Sequence, residues 1–125
     1  MPERADAHIH PFEGGFQSGF TKQPGVRIDE PACYGSLAAD HGVSAALVVG
    51  FCGNEAYADN NEFLARMAAE HAWVRPVAYF DAQTPPPLEQ LDARRKQGFV
   101  GVSIYVFSQE SVDALQQIPD EFWSW

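Results

Sequence analysis

The chain has 125 residues, 8 Lys+Arg against 17 Asp+Glu, and a formal net charge of −9. Its hydrophobic fraction, 46%, suits a globular domain and is too high for a disordered one. The acid excess offers no basic patch to nucleic acid or an anionic membrane, and no apolar run approaches the ~20 residues that span a bilayer.

The N-terminus, Met1-Pro2-Glu3-Arg4-Ala5-Asp6, has no basic segment leading into an apolar one, so no signal peptide is read there. Cys33 and Cys52 are too few for a disulfide scaffold and lack CxxC spacing. They read as buried thiols of a reduced, cytoplasmic protein.

In chain order, the first strand is predicted over Ala5 to His10, ended by Pro11 and Gly14-Gly15. Residues 12–28 have no period and read as a long loop, whose Phe12, Phe16 and Phe20 could wall a pocket or cover core. A helix follows from about Pro31 to His41, capped by Asp29, with Tyr34, Leu37 and Ala38 as its apolar stripe and Gly42 as its stop. The apolar run Ser44 to Gly50 suits a strand buried on both faces of a parallel sheet. A second helix is predicted from Asn61 to His71, with Phe63, Leu64, Met67 and Ala68 on one side, and a third strand from Val74 to Phe80. Thr84 and the prolines open a third helix carrying Leu88 and Leu91, and Gly98 ends it. A fourth strand is predicted over Val100 to Phe107, a short helix near Ser111 to Gln117, and a last turn from Pro119 and Asp120.

Strands alternating with helices imply parallel pairing through right-handed crossovers. Two architectures accommodate four such units: a small doubly wound sheet, or half of a TIM (β/α)8 barrel, whose full size is about 250 residues.

The chemistry concentrates in Asp6-Ala7-His8-Ile9-His10-Pro11. Strand alternation would put Asp6, His8 and His10 on one face and Ala7 and Ile9 on the other. Two imidazoles at that spacing can converge on one ion, at the C-terminal strand end where such folds carry their sites. An ion there would polarise a carbonyl and lower the pKa of bound water. A chance HxH, held by backbone partners and solvent, is the competing reading.

The segments DAHIHPF, GVSAALVVG, VRPVAYFD and GFVGVSIYV resemble the first half of the amidohydrolase-related metal-dependent hydrolases. The branch is that of the pyrone-dicarboxylate lactonases and aminocarboxymuconate-semialdehyde decarboxylases. The resemblance runs from residue 5 to 125, specific in its first motif and pattern-like beyond it. It implies a TIM-barrel hydrolase or lyase with one divalent ion, zinc by preference, held partly by His8 and His10. The fourth strand has no lysine to carboxylate, which implies one metal or none, and some lactonases of the branch act without any. The family's other ligands and its catalytic aspartate follow strands five, six and eight.

His41 and His71 close helices at the opposite sheet end and read as helix-terminal cations rather than ligands. Asp81, after the third strand, could contact substrate or cap its loop. Asn54, Glu55 and Tyr57 follow the second strand in a loop that could touch substrate and reads better as solvated. Ser103 and Tyr105 share a face opposite Val102 and Ile104, where Tyr105 could bind a substrate oxygen or fill the barrel core.

The leading expectation is a hydrolase of a carboxylated lactone, ester or amide, or a related decarboxylase, acting on a small molecule. Residues 1–125 would form one unit, the N-terminal half of the barrel, with its site incomplete. The alternatives are an inactive half-barrel fragment and a self-contained flavodoxin-like binding domain. Phe122-Trp123-Ser124-Trp125 reads as an exposed apolar end, so the chain is expected to continue or to self-associate.

Overall fold

The computed structural model describes residues 3–16 and 26–125. Its elements run β1 (Arg4–Ile9), α1 (Glu30–Asp40), β2 (Val43–Val49), a 3-10 turn (Glu55–Tyr57), α2 (Asn60–Glu70), β3 (Val74–Phe80), α3 (Leu88–Lys96), β4 (Gly101–Ile104), α4 (Gln109–Gln116) and α5 (Asp120–Trp123). Phe20 lies outside the described residues.

Local chemistry sets several of these boundaries. The Asp29 carboxylate accepts from the Ala32 N–H at 3.0 Å, and Pro31 sits in the first turn of α1, where its missing N–H costs nothing. The Ser108 hydroxyl accepts from the Ser111 N–H, so α4 starts two residues before the predicted Ser111. Gly42 after α1 (φ 67°) and Gly98 after α3 (φ 95°) take the left-handed conformation that ends a helix. Arg94, Arg95 and Lys96 place positive charge in the last turn of α3, against its C-terminal carbonyls.

The four strands are parallel and lie in the order β1-β2-β3-β4, a curled half-barrel. A doubly wound sheet of the flavodoxin kind places its first strand inside the order, so that alternative does not describe this sheet. Crossovers of one hand along a sequential order stack the helices on one face. The core lies there, where Ala46 and Val48 of β2 and Ala78 and Phe80 of β3 meet Leu64 and Met67 of α2 and Leu91 of α3. The other face carries Leu47, Tyr79, Ser103 and Tyr105, none of them fully buried.

Four predictions need correction. Asp6 does not share a face with His8 and His10. From Asp6 to Ile9 strand β1 advances three residues while its partner β2 advances two, from Ala46 to Val48. That bulge turns Asp6 and Ile9 both toward the helices: Tyr34 on α1 donates to Asp6 Oδ2 at 3.0 Å, and Ile9 packs on the core. Strand β4 is half its predicted length, because its ladder to β3 runs only from Gly101 to Ile104. Leu37 is exposed, leaving Ala38 and the half-buried Tyr34 to seat α1. Cys33 is exposed and Cys52 half-buried, so neither is a fully buried thiol.

Of the C-terminal aromatic residues only Trp123 is exposed, while Phe122 is buried and Trp125 half-buried. The Trp125 ring lies under the Arg95 guanidinium at 4.5 Å and its Nε1–H donates to Asp92, which seats it on α3. Among the described residues no helix is long and apolar enough to cross a membrane.

Candidate functional site

The bulge that turns Asp6 away aims His8 and His10 together across the open face of the sheet. Their Nε2 atoms stand 2.6 Å apart. His10 Nδ1 lies 2.7 Å from the Val49 carbonyl, an acceptor only, so Nδ1–H is the donor and Nε2 keeps its lone pair. Tyr105, just past β4, brings its hydroxyl to 3.1 Å from that same lone pair. That lone pair thus faces the Tyr105 O–H and the His8 Nε2. Burial pushes the His10 pKa below its ordinary value, and His8 lowers it further against the opposing pull of the Val49 carbonyl. The Tyr105 and Tyr79 hydroxyls are pushed up, chiefly by burial.

A ring nitrogen aimed outward while the other donates to a carbonyl is the usual support of a metal-binding histidine. Two nitrogens on one tetrahedral zinc stand ~3.4 Å apart, so a small opening of the pair would admit an ion. The donor set therefore fits two ligands of one divalent ion. Among the described residues no group of three His, Cys, Asp or Glu converges.

The other candidates separate. Asp81 lies at the same sheet end, but its carboxylate accepts the Gln83 N–H at 2.9 Å and its carbonyl the Thr84 N–H, which fixes the loop after β3. His41 and His71 cap α1 and α2 at the far end. Asn54 caps the 3-10 turn through the Ala56 N–H. Tyr57, expected in solvated loop, is buried against Phe12 at 4.3 Å and Phe16 at 5.7 Å between ring centroids.

Beside the pair opens a cavity of about 420 Å³ lined by His10, Phe12, Phe16, Phe51 and Tyr105. A second, of about 580 Å³, lies on the helix side, where Arg66 is already paired with Glu13 at 2.8 Å. Of these two, the first is the one that reaches the histidine pair, through His10.

Sequence reasoning passed over Phe51, Asn60 and Asn61. Asn60 is buried and bridges two site loops: it donates to the Pro11 carbonyl, next to His10, and accepts the Phe51 N–H. Asn61 closes on both the N–H and the carbonyl of Tyr79, each at 2.9 Å. The signal was the Asn60-Asn61 pair at a helix start, too polar for its burial unless every amide is satisfied.

No protein-family model matches the chain, and no curated protein matches it. Among solved structures it is similar to a probable 2-pyrone-4,6-dicarboxylic acid hydrolase from Acinetobacter baumannii with citric acid bound, at a TM-score of 0.54 and 15% identity. The match covers 90% of this chain and 45% of that one, so the chain spans about half the length of that protein. At this identity the likeness is one of fold.

Proposed function

We propose that this chain forms four βα units of a (β/α)8-barrel hydrolase of the amidohydrolase-related group, and that His8 and His10 hold one divalent ion, zinc by preference. Its substrate is a small molecule with a lactone, ester or amide carbonyl. The observation that carries the reading is the convergence of two Nε2 atoms at the C-terminal end of β1, with His10 locked in one tautomer by Val49. The half-barrel order of the strands and the fold likeness to the pyrone-dicarboxylic acid hydrolase support it.

When bound, the ion would supply Lewis-acid polarisation of the carbonyl and a water of lowered pKa. His10 presents a neutral lone pair, since its lowered pKa keeps it unprotonated near neutrality. With that lone pair engaged, the Tyr105 O–H loses its acceptor and is free to donate to the oxygen where negative charge develops. The further ligands and the general base come from outside the described residues.

The test is ring opening of 2-pyrone-4,6-dicarboxylate and of dihydrocoumarin by the full protein that contains this chain. Hydrolysis of at least one is expected, with His10→Ala losing about 100-fold or more in kcat/KM and Tyr105→Phe about 100-fold. Opening of neither lactone, or equal rates in the wild type and His10→Ala, would overturn the reading.

A further inference from the structure

We propose that the cavity beside the histidine pair binds an uncharged aromatic ring. The inference rests on the hydrolase reading and names the part of the substrate that seats on this half of the site.

The cavity has two braced walls. Phe12 and Phe16 pack on one another with centroids 5.2 Å apart, and the buried Tyr57 backs both. Opposite them, Phe51 and Tyr105 meet edge to face at 5.5 Å, and Tyr79 supports each at 5.6 Å. His10 forms part of the lining, so a ring seated here brings an attached carbonyl to the histidines and the Tyr105 hydroxyl. Neighbouring rings hold these walls before a ligand arrives, which lowers the ordering cost of binding. A flat ligand ring continues their edge-to-face and tilted contacts.

Charge decides against a carboxylate in this position. Among the described residues, no Lys or Arg lines the cavity. Four of the described arginines are engaged elsewhere: Arg66 with Glu13, Arg94 with Glu62, Arg75 with the Ala72 and Val74 carbonyls, and Arg95 with Trp125. A carboxylate pressed on these rings would shed water without gaining a counter-charge, in a chain of net charge −9. Where the substrate carries a carboxylate, that group points away from the four rings.

Benzamide, benzoate and acetamide serve as probes, titrated into the protein and followed by calorimetry and by the NMR signals of the aromatic rings. Benzamide is expected to bind at least about tenfold more tightly than benzoate or acetamide, and Phe16→Ala and Phe51→Ala each to weaken it about fivefold. Circular dichroism of each variant separates loss of the wall from loss of the fold, and Phe51→Leu, which keeps bulk without the ring, is expected to weaken benzamide as well. Benzoate binding as tightly as benzamide, no saturable binding of benzamide, or benzamide affinity that vanishes as protein concentration rises, because a second copy fills the cavity, would each overturn the inference. Zinc binding is scored on the same samples: ring preference without zinc removes the metal reading alone, and zinc without ring preference removes this inference alone.

Discussion

The amide of Asn61 shows how single residues shape the site. It accepts from the Tyr79 N–H and donates to the Tyr79 carbonyl, so one buried side chain satisfies both backbone groups at the end of β3. Gly50 makes room for it: a Cβ there would stand 2.5 Å from Asn61 Oδ1 and within 3.3 Å of the β3 backbone. Asn61→Ala would strand a part-buried donor and acceptor, and is expected to destabilise the chain by about 1–3 kcal/mol in chemical denaturation. Gly50→Ala should cost about 1–3 kcal/mol, and less than that in the Asn61→Ala background, where the clashing oxygen is gone. Additive losses in the double variant would show that the two positions act separately.

At the scale of elements, α3 gives the cleanest test of how the sheet is covered. Leu91 is fully buried against the core while Leu88, in the first turn, is 45% exposed. Leu91→Ala is therefore expected to cost about 3 kcal/mol and Leu88→Ala no more than about 0.5 kcal/mol; equal shifts in denaturation midpoint would mean that α3 packs on its other side. Most elements were legible in the sequence because glycines, prolines and capping residues bound them: β3 was predicted residue for residue, and Asp29 marked the start of α1. The bulge in β1 was not legible. Alternation assigns faces only along a regular ladder, and one inserted residue reversed Asp6. The length of β4 also lay beyond the pattern, since an apolar run continues past the last residue its neighbour can pair. Within the site, the HxH pair was visible as a spacing and Tyr105 as a strand face. Phe51 and the asparagines became visible only when the fold brought three loops together.

The molecule as a whole presents a half-barrel with one face covered and the other open. Strands β1 and β4 are the edges of the described sheet, and Leu47, Val106 and Phe107 are exposed. Unpaired edges beside exposed apolar side chains favour association. The 125-residue chain is expected to elute as a dimer or larger, whereas a monomer with cooperative unfolding would mean that the open face needs no cover. The same open face carries the histidine pair. The most direct measurement is zinc retained against a competing chelator by the full protein that contains this chain, as wild type and as the His8→Ala/His10→Ala variant. Zinc bound by the wild type and lost in the variant is the predicted result; equal zinc in both, or none in either, would contradict it.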